Sequence, residues 1–448
     1  MPSPRPPLPD GPFVVVGLKR SGLAVARALR AAGAEVRGCD SGEADTEALI
    51  ALGVEVRAPG VGLDLLPGAR TVVKSPGVPQ DAPVVVAARE RGLRVVGELE
   101  IGWRMLAHEM IAVTGSNGKT TTTELIGHIH REAGLAVAVA GNVGTALSSL
   151  ALEEGRVAPD TVVVCEASSF QLEDTELFAP EGAVLLNVTP DHLDRHGTLA
   201  AYTAAKLQVF ARQGNDDVAV APLGLGIDDL GGCARRVCFG AGPGAELADR
   251  AGHLWWGDEQ VLIATTDIRL RGEHNRRNAM AAAAVTLARG VEPAAVRAGL
   301  ATFAGVPHRL EEVATVAGVA YVNDSKATNV DAAVTGLRGF DGGVHVILGG
   351  RGLTGDLAPL VTAVRERAAG AYLIGESADQ LADALTTTGV PLARSQDMER
   401  AVAAAAAAAR PGEVVLLSPA AKSFDQYPDF EARGDHFRSL ARARAGLV

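Results

Sequence analysis

Residues 111–125, IAVTGSNGKTTTTEL, combine the residue types that handle phosphate. An apolar run leads into Gly115, Ser116, Asn117, Gly118, Lys119 and Thr120, and a helix follows from about Thr120, with Thr121 in its first turn. Glycines let backbone N–H groups face a phosphate, a helix N-terminus adds positive potential, and a lysine reaches terminal phosphates. A hydroxyl directly after that lysine suits magnesium. The spacing is GxxGKT, shorter than the usual GxxxxGKT/S loop, and the competing reading is a bare glycine turn before a helix.

Other groups are less specific. GLKRSG, Gly17 to Gly22, resembles a dinucleotide turn, but Lys19 stands where a second glycine would let a pyrophosphate approach, which argues against NAD. A turn for another nucleotide diphosphate, or a purely structural turn, remains open, and Asp40 reads as a nucleoside contact or a helix cap. Glu166 ends an apolar strand, where α/β ligands bind. In TPDHLDRHG, His192 and His196 stand four apart beside Asp191 and Asp194, as a zinc site or as a solvated helix start. Lys206 lies in an apolar helical stretch, AAKLQVF. It either snorkels, or its buried amine turns nucleophilic and captures carbon dioxide as a carbamate. Further along, VNDSKATN gathers polar groups around Lys326 after a strand, and LLSPAAKSFDQYPDFEARG does so around Lys422; turns and caps are the competing reading.

Lysine is scarce. Only six of the 42 basic residues are lysines: 19, 74, 119, 206, 326 and 422. Arginine evidently supplies general surface charge, so the lysines are enriched for positions that need a compact amine. Codon bias with random survivors is the alternative.

The elements that must position these residues are legible as an α/β alternation. Phe13 to Val16, then a helix over Leu23 to Ala32 stopped by Gly33, then Val36 to Cys39, form a βαβ opening. The alternation continues through Thr71 to Val73 and Val84 to Arg89. A second unit starts at Met110 to Val113, with strands at Val137 to Ala140, Thr161 to Cys165 and Ala183 to Asn187. A third has strands near Ala320 to Asn323, Val344 to Leu348, Ala371 to Ile374 and Val414 to Leu417. At roughly 150 residues per domain, a 448-residue chain holds about three, here with boundaries near residues 98 and 305.

Composition excludes other classes. With 47% hydrophobic and 21% charged residues, the chain can bury real cores. A net charge of −11 with no basic stretch excludes binding by phosphate neutralisation, so no nucleic-acid partner is expected. The four cysteines form no CxxC pair, as in a reducing compartment. The proline-rich start lacks a signal-peptide core, and no apolar run reaches the roughly 18 residues of a membrane span. A cytoplasmic protein without membrane insertion is expected.

In order along the chain, TGSNGKTT, GNVG, EASSFQLE, NVTPDHLDRHG, YTAAKLQVF, GEHNRRNAMAA, PHRLE, NDSKATN and SPAAKSFDQ resemble the Mur ligase family. The last two most resemble its D-glutamate-adding branch. The resemblance spans essentially the whole chain. It implies three domains: 1–98, Rossmann-like, for the UDP group; 99–305, a P-loop ATPase with a mostly parallel sheet; and 306–448, Rossmann-like, for the incoming amino acid. It implies ATP-driven addition of D-glutamate to UDP-N-acetylmuramoyl-L-alanine through an acyl phosphate, in peptidoglycan precursor synthesis, by a cytoplasmic monomer. By the same resemblance, Gly115 to Thr121 form the ATP loop, with Lys119 and Thr120 on the phosphates and magnesium. Asn275, Arg309 and Asp324 contact the nucleotide, and Lys326 steadies the acyl phosphate. Glu166 is a magnesium ligand, and His192 and carbamylated Lys206 hold a second magnesium ion. Ser21, Asp40, Asn142 and Gln171 fall at UDP-substrate positions, and Thr328, Ser423 and Phe430 where D-glutamate binds.

One departure is Leu353, where related ligases often carry a lysine for the D-glutamate carboxylate; Arg351 or Lys422 is the expected substitute. Two other functions compete: a sister ligase adding a different amino acid, and a P-loop ATPase switch or nucleotide-binding module.

Overall fold

The computed structural model describes residues 3–44, 46–152, 157–226, 229–258, 260–270, 272–353 and 356–447. It forms two compact units, Met1–Phe303 and Ala304–Val448. The chain is α/β, as its alternation predicts, with three largely parallel sheets.

The first sheet joins β1 (Phe13–Val16), β2 (Val36–Cys39), β3 (Glu55–Arg57), β4 (Thr71–Lys74) and β5 (Arg94–Gly97). Its order is β3-β2-β1-β4-β5, all parallel. The order reverses beside β1, and α/β ligands bind outside the carboxyl ends of strands at such a reversal. Phe13 and Val15 enter one apolar cluster and Val14 and Val16 another, so both faces of the sheet are covered. That explains an unbroken apolar run in place of alternation.

The second sheet contains β6 (Met110–Thr114), β7 (Val137–Gly141), β8 (Val162–Glu166), β9 (Gly182–Leu185), β10 (Val218–Pro222), β11 (Arg235–Gly240), β12 (Leu247–Arg250), β13 (His253–Trp256) and β14 (Gln260–Ala264). Its order is β14-β13-β12-β11-β10-β9-β6-β8-β7, antiparallel only across β12, β13 and β14. The glycine loop leaves the end of β6 and feeds the helix Lys119–Glu132.

A segment from residue 3 to Pro12 ties this unit together. Arg5 pairs with Glu181 at 2.8 Å, donates to the Leu106 carbonyl at 3.1 Å and lies 4.9 Å over the Trp103 ring. Glu181 in turn accepts the Met110 amide at 2.9 Å, at the start of β6.

The second unit has β15 (Glu311–Val316), β16 (Val319–Asn323), β17 (Val344–Gly349), β18 (Ala368–Ile374), β19 (Leu392–Gln396) and β20 (Val414–Leu417). They run β15-β16-β20-β17-β18-β19, with only the β15–β16 pair antiparallel. Val346 and Leu348 face one cluster and Ile347 the other, the period-two signature of a sheet covered on both sides.

The sequence pattern did not signal β10 to β14. These strands are four to six residues long, and LADR and HLWW mix polar and apolar groups without alternation. Val84 to Arg89 lies in a helix, Pro83–Glu90, started by its proline. Among the described residues, no helix is long and apolar enough to cross a membrane.

Candidate functional site

A cleft of about 850 Å³ opens at the reversal point of the first sheet. Ser21, Asp40, Asn142 and Gln171, drawn from four separate segments, all line it, as does Lys19. The glycines of GLKRSG are explained sterically. Gly17 has φ +85°, and a Cβ on Gly22 would stand 1.7 Å from the Gly17 carbonyl oxygen. The turn can close this tightly only with both glycines in place. Asp40 fixes the same turn: its Oδ2 accepts the Leu18 amide at 2.7 Å and its Oδ1 the Gly42 amide at 2.9 Å. On the opposite wall, Gln171 completes a capping box with Ser168, whose amide donates to Gln171 Oε1 at 3.0 Å. Arg20 crosses the cleft to the Asn142 carbonyl at 2.5 Å.

The glycine loop leaves β6, which pairs with β8, the strand that ends in Glu166. Asn142 donates to the buried Glu166 carboxylate at 3.0 Å. Among the described residues, no cationic side chain pairs with Glu166. Gly118 has φ +87°, and a Cβ there would meet Asn278 Oδ1 at 2.2 Å. The helix Glu273–Ala288, which carries Asn275 and Asn278, therefore packs onto the loop, and the two asparagines touch at 3.4 Å. Asn117 is held by reciprocal bonds with Asn187 at 2.9 and 3.0 Å. Ser116 Oγ donates to the Thr189 carbonyl at 3.0 Å and receives the Tyr202 hydroxyl at 3.2 Å. Lys119 Nζ curls back onto the Gly115 and Ser116 carbonyls, each at 2.9 Å. Thr120 and Thr121 are buried at the start of the helix.

Lys206 is 1% exposed and does not snorkel. Its Nζ donates to the Gly115 carbonyl at 2.8 Å and lies 4.3 Å over the Tyr202 ring. Burial, then the charge of Lys119, pushes its ammonium down to about 7. His192 stands in the left-handed region at φ +52°, ring half exposed, 3.4 Å from Asp191 and 4.9 Å from the Phe170 ring centroid. His196 turns to Ser169 Oγ at 3.1 Å. The Asp194 side chain lies outside the described residues. Among those described, no three His, Cys, Asp or Glu side chains converge as metal ligands.

In the second unit, Arg309, Asp324, Lys326 and Thr328 sit on two adjoining turns. The Leu310 amide donates to Asp324 Oδ1 at 3.2 Å, and the Lys326 amide to the His308 carbonyl at 3.0 Å. Asp324 also accepts Ser418 Oγ at 2.8 Å, and burial pushes its carboxyl up to about 7. Lys326 Nζ lies 5.9 Å over the Phe430 ring. Ser423 is buried, and its carbonyl accepts the Tyr427 amide at 2.9 Å. Leu353 is buried in the apolar core of this unit. Arg351 and Lys422 are paired through their backbones, and the Arg351 guanidinium is engaged by Glu376 at 2.6 Å.

Three family models match successive parts of the chain: the Mur ligase MurD-like N-terminal domain over residues 12–97, the Mur ligase middle domain over 113–286, and the Mur ligase glutamate ligase domain over 308–421. The UDP-N-acetylmuramoylalanine–D-glutamate ligase of Pelotomaculum thermopropionicum is 41% identical, over 95% of this chain and 96% of its own length. That of Frankia casuarinae is 43% identical, over 97% and 94%. The chain belongs to the Mur ligase family. Solved structures agree in fold: the UDP-N-acetylmuramate–alanine ligase of Thermotoga maritima matches with a TM-score of 0.56 at 21% identity, covering 98% of this chain and 99% of that one. A MurF ligase of Acinetobacter baumannii gives 0.55 at 17% identity, covering 91% of each chain.

Sequence reasoning missed several polar groups of this Mur ligase. Lys74 and Asp174 form an ion pair at 2.8 Å with side chains 0% and 3% exposed. Arg195 bridges three segments, and the buried Arg433 spans Ser325 and the Ala421 carbonyl. Only Lys74 carried a signal, as one of the scarce lysines.

Proposed function

We propose that this Mur ligase joins D-glutamate to UDP-N-acetylmuramoyl-L-alanine at the expense of ATP, in peptidoglycan precursor synthesis. The observation that carries the reading is identity of 41–43% over nearly the whole length of ligases whose names specify that acceptor and that amino acid. The convergence of Ser21, Asp40, Asn142 and Gln171 on one cleft supports the nucleotide-sugar assignment. Residues 1–98 would bind the UDP group, 99–305 ATP, and 306–448 the amino acid.

In the first step, a carboxylate oxygen of the acceptor attacks the γ-phosphorus of ATP; the bond from that phosphorus to the β,γ-bridging oxygen breaks, and ADP leaves. In the second, the amine nitrogen of D-glutamate attacks the acyl carbon and loses a proton, and phosphate departs with the bonding electrons. Two unit anions about 4 Å apart repel by about 4 kcal/mol at an effective dielectric constant of 20, enough to slow a reaction roughly a thousandfold. Lys119 and the loop amides offset that repulsion. Asn275, Arg309 and Asp324 would contact the nucleotide, Lys326 the acyl phosphate, and Thr328, Ser423 and Phe430 the D-glutamate. Of the two cations near Leu353, Arg351 is already paired with Glu376, so Lys422 is the better partner for the substrate carboxylate.

The residues present fit magnesium. Glu166 is a buried carboxylate with no cationic partner among the described residues, and Mg²⁺ typically takes one or two carboxylates with substrate phosphates and water. Thr120 and Glu166 would hold one ion, and Glu166, His192 and Lys206 as its carbamate a second. Bound there, magnesium would neutralise phosphate charge and align the reacting oxygens. The depressed amine of Lys206 suits carbamate formation, which needs the neutral form.

The test is phosphate release with ATP, UDP-N-acetylmuramoyl-L-alanine and D-glutamate, omitting each in turn. Release that needs all three, with a peptide-linked product, is expected. Turnover of ATP alone would favour a switch ATPase, and acceptance of another amino acid instead a sister ligase.

A further inference from the structure

We propose that Arg195 is a positioning residue that couples the nucleotide-sugar cleft to His192. The inference rests on the reading above of both. Arg195 lies three residues beyond His192 in a one-turn helix, Leu193–His196. A single turn has little stability of its own, and a left-handed backbone is unfavourable for a non-glycine residue. Locally, the His192 amide donates to Asp191 Oδ1 at 2.9 Å; the rest of the hold comes from outside the turn.

Arg195 supplies the hold. Its Nη1 donates to the Pro76 carbonyl at 2.8 Å, and its Nη2 to the Val78 carbonyl at 3.2 Å and to Glu173 Oε1 at 2.7 Å. The guanidinium carbon lies 4.2 Å over the Phe170 ring, the same ring that packs on His192. Pro76 and Val78 line the cleft. The loop is gripped from its other side by Lys74, whose Nζ donates to the same Val78 carbonyl at 2.9 Å while pairing with Asp174. One carbonyl thus receives both cations. A nucleotide sugar that presses on Pro76 and Val78 shifts two acceptors of a planar fork, and the fork carries the turn that sets His192. A lysine at position 195 has no such fork.

The test is the side-chain NMR resonance of His192, assigned by loss in His192→Gln, in metal-free protein titrated with UDP-N-acetylmuramoyl-L-alanine. Saturation shifts the wild-type resonance; in Arg195→Lys the sugar still binds but the shift falls to under about a third. In parallel, the Mg²⁺ concentration for half-maximal activity rises by about fivefold or more in Arg195→Lys, the low end of typical coupling between sites. An undiminished His192 shift in Arg195→Lys overturns the proposal, as does a wild-type resonance that never moves at saturation. If Arg195→Lys does not fold, Glu173→Gln removes one arm of the fork, and an undiminished shift there is equally fatal. Failure of wild-type protein to bind the sugar would sink the functional reading of the cleft, and this inference with it.

Discussion

The Lys206 amine and the Gly115 carbonyl meet at 2.8 Å, so a buried side chain from a helix is tied to the first glycine of the loop after β6. With its pKa pushed down to about 7, the amine is neutral above that pH and protonated below it. At limiting carbon dioxide, activity therefore rises from pH 6 to 8, by about tenfold per unit on the acid side if the neutral amine is required. Initial rates across that range, with and without added bicarbonate, check this. The unfolded chain binds the proton up to the ordinary lysine range, so this group makes stability rise with pH above about 7. Lys206→Ala is expected to lose at least about 100-fold in rate, with partial rescue by short carboxylates, because it removes a metal ligand, whereas losing a partner that only orients a ligand typically costs about 10–100-fold. Full activity of the alanine variant would remove the carbamate role.

Gly118→Ala should disable the phosphate loop. The substitution adds left-handed strain of roughly 1–2 kcal/mol and drives a methyl group to 2.2 Å from Asn278 Oδ1. The expected result is at least about a tenfold weaker ATP affinity, which corresponds to 1.4 kcal/mol. Calorimetric titration with a non-hydrolysable ATP analogue measures it; unchanged affinity refutes the steric account.

The Lys74–Asp174 pair predicts an asymmetry. Burial pushes the Lys74 ammonium down and the Asp174 carboxyl up, so each charge is tolerated only because of the other. Lys74→Ala or Asp174→Ala alone should cost about 3–5 kcal/mol, whereas replacing both with apolar residues should recover most of it. Urea unfolding of the two single variants and the double variant decides the matter. Additive losses would show that the pair is not coupled.

Lys422→Ala should raise the Michaelis constant for D-glutamate by about tenfold or more, the cost of one charge-assisted hydrogen bond of 1.5–3 kcal/mol. Arg351→Ala should change it by less than threefold, since Glu376 already engages that guanidinium. Steady-state kinetics with varied D-glutamate test both, and no effect from either variant would leave the missing lysine at Leu353 unreplaced.

Much of this molecule was legible as sequence because its strands are covered on both faces. Val14, Val15 and Val16 read as one apolar run, and the residues chosen beside such runs sit at strand ends. Scarcity of lysine was a second guide. Besides the four in family motifs, Lys19 lines the cleft and Lys74 fills a solvent-free ion pair. What stayed hidden depends on partners far apart in the chain. Arg195 gains its meaning from carbonyls 119 and 117 residues earlier, and no local pattern marks a carbonyl as an acceptor. Strands β12 and β13 were invisible for another reason: their mixed residues follow neither period.

Arg5 and Glu181 are separated by 176 residues, yet each is 4% exposed in the pair they form. During synthesis at the ribosome, Arg5 can meet Leu106 and Trp103 first, but its carboxylate partner emerges only just ahead of β9. The tie between the segment leading into β1 and the start of β6 is thus completed late, and loss of either side chain would leave the other charge buried without its partner.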